Sequence, residues 1–177
     1  MSQRHSGYPR QPDDNYETPP WVTRAAVPYL RCSCAWDPAN GPSSRLAETL
    51  RQESFKVVAT NDDFLSRDSL PHPRVDGVVT NPPYGPGGSV ACRFIEHALA
   101  LAPFVALLLR VDFDSGKTRT PLFRDCRAFA RKVVLLDRIM WFPGDSGPST
   151  NHAWFIWNAR HHDEATISYA RRSRINS

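Results

Sequence analysis

Val78-Val79-Thr80-Asn81-Pro82-Pro83-Tyr84-Gly85 is the stretch on which the reading of this chain turns. A short apolar run over residues 76–80 stops at two successive prolines, the signature of a buried strand whose chain must leave the sheet at once. The prolines fix two φ angles, remove two backbone donors and bias the preceding residue away from helix. A stiff loop is therefore expected at the carboxyl end of a strand, where open α/β sheets bind their ligands. It carries an amide and an aromatic ring. Asn81 Oδ1 and the Pro82 carbonyl suit the NH2 group of a flat substrate, and Tyr84 suits its ring. Acceptors so arranged turn the nitrogen lone pair outward, toward an electrophile.

Asn81-Pro82-Pro83-Tyr84 resembles the catalytic motif of the S-adenosylmethionine-dependent amino-methyltransferases, above all the DNA N6-adenine methyltransferases. The four residues alone also suit a plain strand-to-loop turn, so the rest of the chain has to decide. Upstream, Cys34-Ala35-Trp36-Asp37-Pro38-Ala39-Asn40-Gly41-Pro42-Ser43-Ser44 followed by Arg45-Leu46-Ala47-Glu48-Thr49-Leu50 reads as strand, tight loop and helix, with Leu46 and Leu50 on one face. Glycine in such a loop lets backbone approach a ligand, and the helix start offers free N–H groups. The loop resembles the family's cofactor motif at Asp37, Pro38, Ala39 and Gly41, whereas Ser43 stands where a second glycine is usual. The resemblance implies S-adenosylmethionine as cofactor.

Phe55-Lys56-Val57-Val58-Ala59-Thr60 reads as the second strand, followed by Asn61-Asp62-Asp63-Phe64-Leu65. In dinucleotide folds a carboxylate beyond this strand takes the ribose hydroxyls, and the family places an acid here for the same purpose. Asn61 occupies the first position and Asp62 is the nearest carboxylate. Asp63 and Phe64 resemble the next family motif, in which an acid meets the cofactor's adenine amino group and an apolar side chain packs nearby. The two motifs are fused, so the helix and third strand that the family has between them are expected to be reduced to a loop. A solvated acidic turn is the competing reading.

Near the N-terminus, Tyr16-Glu17-Thr18-Pro19-Pro20-Trp21 resembles the family's Tyr-x-Thr-Pro segment, which implies Tyr16 and Thr18 beside the methionine end of the cofactor. From the residues alone, Thr18 is a helix N-cap with Pro19 in the first helical position, and Pro28 keeps that helix short. Gly85-Pro86-Gly87-Gly88-Ser89 reads as a mobile loop placed to close over a target base. Residues 90–101 are helical in periodicity, with Phe94, Ala98 and Leu101 inward and His97 at the surface. Residues 104–109 form a strand buried on both faces. Gly116-Lys117-Thr118 lacks the upstream glycine spacing of a phosphate loop. Residues 122–132 are expected to be helical, with Arg124, Arg127 and Arg131 on one basic face. Residues 133–138 and 153–157 are expected to be two further strands. The intervening loop, with Trp141 and Phe142, is read either as base contact or as strand-end packing.

With 177 residues, one domain is expected. Residues 1–15 read as a flexible arm, 16–160 as the methyltransferase-like domain and 161–177 as a basic, solvated tail. The formal net charge is +4; residues 110–177 carry 12 Lys/Arg against 7 Asp/Glu, and the preceding 109 carry 10 against 11. The basic excess lies wholly in the last third and is compatible with nucleic acid. Cys32, Cys34, Cys92 and Cys126 lack zinc spacing and are expected to be reduced thiols. No metal site, membrane span or signal peptide is expected, which makes cytoplasm the default location.

The reading is an α/β, class I methyltransferase Rossmann-like fold: a mostly parallel sheet with helices on both faces, reduced around the third strand. The resemblance implies methyl transfer to an exocyclic amine, first of all adenine N6 in DNA. RNA amines and protein glutamine are alternative acceptors. A catalytically degenerate nucleic-acid-binding module is a further alternative, given Ser43 and Asn61. The chain has no room for a restriction-type recognition domain, so specificity must be low or come from loops or a partner.

Overall fold

The computed structural model describes residues 17–39, 43–141 and 150–172. Seven strands form one sheet in the order β2-β1-β3-β4-β6-β5-β7: β1 (Cys34–Asp37), β2 (Lys56–Ala59), β3 (Gly77–Thr80), β4 (Phe104–Arg110), β5 (Phe129–Leu135), β6 (His152–Asn158) and β7 (Thr166–Ala170). The pairs β1–β2, β1–β3, β3–β4 and β5–β7 are parallel; β6 runs antiparallel between β4 and β5. The carboxyl ends of β1, β2, β3, β4, β5 and β7 therefore share one rim with the start of β6.

Helices cover both faces. α1 (Pro20–Ala26) and α2 (Arg45–Gln52) pack on one, where Val22, Ala26, Leu46 and Leu50 meet Ala35, Val79, Ala106, Leu108 and Trp154. α3 (Ser89–Leu101) packs on the other, where Phe94, Ile95 and Ala98 meet Trp36, Val78, Leu107 and Phe155. The alternation along β4 sends Leu108 to one core and Leu107 and Leu109 to the other, which is why that strand is an unbroken apolar run. Trp154 Nε1 donates to the Val22 carbonyl at 2.8 Å and ties α1 to the sheet. The segment joining β2 to β3 holds a single 3-10 turn, Phe64–Ser66, so the expected reduction of the third strand is present. The four cysteines are free thiols, and burial pushes Cys32 up to about 12.

Four expectations are corrected. Residues 122–132 are not a helix: a 3-10 turn (Lys117–Leu122) is followed by β5, which begins at Phe129. Pairing with strands on both sides outweighs the local helical spacing of the arginines. Arg131 lies 4.8 Å over the Tyr29 ring, and Lys132 pairs with Asp114 at 2.7 Å. Residues beyond 161 are not all tail, because β7 extends the sheet to Ala170. Thr18 is not the N-cap: α1 starts at Pro20, with Pro19 in the cap position and no side-chain cap bond. Val27, Pro28 and Tyr29 form a 3-10 turn after α1, as the proline demands. His97 is half-buried rather than superficial, its ring edge-on to Phe64 at 4.9 Å.

Candidate functional site

The Asn-Pro-Pro-Tyr loop leaves the rim at the end of β3. Asn81 and Pro82 are buried; Pro83 and Tyr84 are half-buried. The Tyr84 hydroxyl donates to the Leu108 carbonyl of β4 at 3.1 Å, which steadies the ring beside the neighbouring strand end. Gly85 turns the chain into α3 at φ 64°; a Cβ there would lie 2.3 Å from Val90 Cγ2. The Val90 and Ala91 amides both donate to the Tyr84 carbonyl, at 3.2 and 3.3 Å.

Within the Gly85–Ser89 loop, Pro86–Gly88 form a 3-10 turn, and Arg119 bonds to it. Its guanidinium stacks 3.8 Å from the centre of the Phe113 ring and donates to the Phe113 and Gly87 carbonyls, each at 2.8 Å. The loop after β4 is thereby fastened to the loop after β3. Sequence reasoning missed Arg119, because nothing local marks a partner 32 positions away.

On the other side of β3, Asp37 ends β1 fully buried. Its Oδ1 accepts from the Thr80 hydroxyl at 2.6 Å and from the Ala39 amide at 3.4 Å, and its Oδ2 accepts from the Ser44 hydroxyl at 2.6 Å. Ser44 also N-caps α2 by accepting from the Ala47 amide at 3.2 Å. One carboxylate thus joins the turn after β1, the start of α2 and the residue preceding Asn81. Pro38 is buried and Ala39 half-buried within that turn. Gly41 lies outside the described residues. Ser44 and Thr80 were not singled out from sequence; a serine placed just before the helical spacing of Leu46 and Leu50 was the available signal for one of them.

Asn61, Asp62 and Asp63 are exposed beyond β2. The Thr60 hydroxyl and Arg67 bond the Asp62 carboxyl and hold it below the usual carboxylate range. Asp63 accepts from the Leu65 amide at 3.2 Å and caps the short 3-10 turn. Phe64 points into the core, with its ring 5.1 Å from Trp36 and 4.7 Å from Phe94. Trp36 Nε1 in turn donates to Thr60 at 3.0 Å, so the end of β2 is braced from beneath.

Tyr16 lies outside the described residues. Glu17 pairs with Arg45, the first residue of α2, at 3.5 Å, and so brings the segment before α1 to the turn after β1. Next to it Thr18 is buried, and its hydroxyl finds no partner among the described residues.

Across the rim, His152 opens β6 opposite Arg110. It is buried, edge-on to Trp141 at 5.4 Å, and burial together with the Arg110 charge lowers its pKa to about 4. The imidazole is neutral at physiological pH. Residues 142–149, Phe142 among them, lie outside the described residues. Among the described residues no cluster of His, Cys, Asp and Glu is composed to hold a metal ion, and no helix is long and apolar enough to cross a membrane.

No protein-family model matches the chain, and no curated protein matches it in sequence. Solved structures do match it in fold. One is a class I S-adenosylmethionine-dependent methyltransferase, as described, from Listeria monocytogenes: TM-score 0.56 and 11% identity over 89% of this chain. A second is described as an RNA methyltransferase from Pyrococcus horikoshii, with TM-score 0.56 and 12% identity over 88% of this chain. A third belongs to a type I restriction–modification system, with TM-score 0.57 and 16% identity over 87% of this chain. The match spans 64%, 91% and 44% of those three chains, so this chain corresponds to part of the first and third. At these identities the likeness is one of fold. The chain has the fold of the class I S-adenosylmethionine-dependent methyltransferases.

Proposed function

We propose that this protein transfers the methyl group of S-adenosylmethionine to an exocyclic amine, with adenine N6 in DNA as the first acceptor to test. The observation that carries the reading is the Asn81-Pro82-Pro83-Tyr84 loop at the carboxyl end of β3, held one residue from the buried Asp37–Thr80 bond. The residues present fit the cofactor. The segment before α1 reaches the N-terminus of α2, and the buried Thr18 hydroxyl beside it has no partner among the described residues. Asp37 shapes the turn that a ligand would meet rather than facing the ligand itself. Pro38, Ala39, Gly41 and the α2 N–H groups would hold the methionine portion, together with Tyr16 and Thr18. Asn61, Asp62 and Asp63 would border the nucleoside portion, with the buried Phe64 beneath them.

Bound there, S-adenosylmethionine would supply an electrophilic sulfonium methyl to the amine nitrogen, with sulfur keeping the electron pair of the broken C–S bond and the amine giving up a proton to solvent. Little is then asked of the chain beyond alignment. Asn81 Oδ1 and the Pro82 carbonyl would accept from the acceptor's NH2 and direct its lone pair. Tyr84, tethered to β4, would offer its ring as the stacking surface, and in a duplex the base must be extruded to reach it. The basic excess of the last third supports nucleic acid over peptide. A separate specificity subunit is part of the proposal, and one of the similar chains comes from a type I restriction–modification system.

Asn81→Ala should abolish methyl transfer to an adenine-containing oligonucleotide while cofactor affinity, measured by calorimetry, stays within about twofold. Full retained transfer would overturn the assignment of Asn81. A second reading, a non-catalytic nucleic-acid module, draws on one observation: Asp62, the nearest carboxylate for a ribose, is already engaged by Thr60 and Arg67. Absence of cofactor binding up to millimolar concentration would favour it.

A further inference from the structure

β7 ends the sheet, and among the described residues nothing pairs with its outer edge. The strand is firmly attached on its inner side. Arg131 Nη1 donates to Ser168 Oγ at 2.6 Å, the Leu136 amide donates to the Ala170 carbonyl at 2.8 Å, and the Arg172 amide donates to Asp137 Oδ2 at 2.7 Å. Because the Ala170 carbonyl faces β5, alternation along the strand turns the N–H and C=O groups of Ile167 and Tyr169 outward. Their side chains share one face, and they are 62% and 65% exposed, among the most exposed large apolar residues described. Long exposed edges of this kind are usually blunted by charge or proline within the strand; β7 has neither, and its charges stand just outside.

The surrounding sequence is His161-His162-Asp163-Glu164-Ala165-Thr166-Ile167-Ser168-Tyr169-Ala170-Arg171-Arg172. It is acidic before the strand and basic after it, and its two apolar residues are placed symmetrically about Ser168. We propose that the outer edge of β7 is a self-association surface, on which a second copy of this chain pairs antiparallel through a dyad at Ser168. In that register Ile167 faces Tyr169 of the other copy with their outward backbone groups exchanging two hydrogen bonds, and the dyad repeats the exchange. The same register sets Glu164 opposite Arg172 of the other copy, with Asp163 nearby. Both side chains then lie on the face opposite Ile167 and Tyr169. Among the described residues Asp163, Glu164, Arg171 and Arg172 form no salt bridge within the chain.

The charge pattern selects this occupant: a parallel partner strand would set like against like, whereas an antiparallel second copy matches every end. The contact doubles the sheet and points the two carboxyl-end rims in opposite directions. A strand pair of this length buries less than a standard interface, so association at micromolar concentration is expected. The inference rests on the sheet edge alone and is independent of the proposed methyl transfer.

The test is sedimentation equilibrium of the full chain from roughly 5 to 500 µM, with circular dichroism confirming that each variant is folded. The wild-type chain should show a monomer–dimer equilibrium that weakens with added salt. Glu164→Arg and Arg172→Glu should each weaken it by about tenfold or more, because each sets like charges across the dyad. The double variant should restore it. Ile167→Lys should abolish it. A monomer at every concentration, or a dimer indifferent to both charge reversals, would overturn the proposal.

Discussion

Thr80→Val removes the hydroxyl that joins β3 to Asp37 while preserving shape at a fully buried position. The bond is 2.6 Å long and its acceptor is a carboxylate with no exposure to solvent. Hydrogen bonds to charged groups contribute about 1.5–3 kcal/mol, and burial prevents water from replacing the lost donor. The Ala39 amide and the Ser44 hydroxyl remain on Asp37 and soften the loss. About 2 kcal/mol of destabilisation is therefore expected, which for a chain of this size is a fall in Tm of about 4–8 °C. Urea unfolding followed by tryptophan fluorescence reads it directly, since Trp36 is fully buried beside Asp37 on β1. Thr80→Ser should recover most of the loss, because it returns the hydroxyl and gives up only a methyl group. A Thr80→Val protein within about 0.5 kcal/mol of wild type would refute the reasoning: Asp37 would not then depend on β3 for its partners. If stability falls and the methyl-transfer rate falls further than a Thr80→Ser control, Thr80 positions Asn81 as well as bracing the core.

Gly85→Ala and Gly87→Ala separate backbone strain from collision. Both glycines have positive φ, 64° and 60°, but an added Cβ meets Val90 Cγ2 at 2.3 Å in one case and nothing within 4 Å in the other. Gly87→Ala should cost about 1 kcal/mol from the backbone alone, and Gly85→Ala clearly more; equal losses in denaturant unfolding would contradict this loop geometry. His152 gives a pH signature. Its folded pKa, about 4, lies below the ordinary 6.5, so the unfolded chain takes up the proton first as pH falls. Its neutral burial costs nothing above pH 6.5; the folded state then loses stability between pH 6.5 and 4, by a total on the order of 3 kcal/mol. His152→Gln should flatten that part of the stability profile, and an unchanged slope would place the burial of His152 in error.

Much of the architecture was legible because it is written in local terms. Asn81-Pro82-Pro83-Tyr84 has to be a stiff exit from a strand, and residues 104–109 can satisfy themselves only between two apolar layers. The short link between the second strand and β3 left no length for another helix and strand. Residues 122–132 misled because arginines at helical spacing are a weak local preference. The pairing of β5 with β6 and β7 is a long-range gain that overrides it. His161 onward read as tail because Thr166-Ile167-Ser168-Tyr169-Ala170 has few apolar residues; it becomes a strand only when β5 presents an edge to it.

The candidate site divides in the same way. By itself the sequence determined its backbone chemistry: the proline-stiffened loop, the turn after Asp37 and the start of α2, each encoded within a few consecutive residues. Tertiary structure alone decided which side chains hold those pieces together. Asp37 meets Thr80 across 43 positions, Arg119 reaches Gly87 across 32, and Tyr84 reaches Leu108 across 24. It also decided that Phe64 fills the core and that Asp62 is engaged by Arg67. Proline and glycine act on their own dihedral angles, so their meaning is local. A hydrogen bond or a ring contact exists only once the sheet has brought its two ends together.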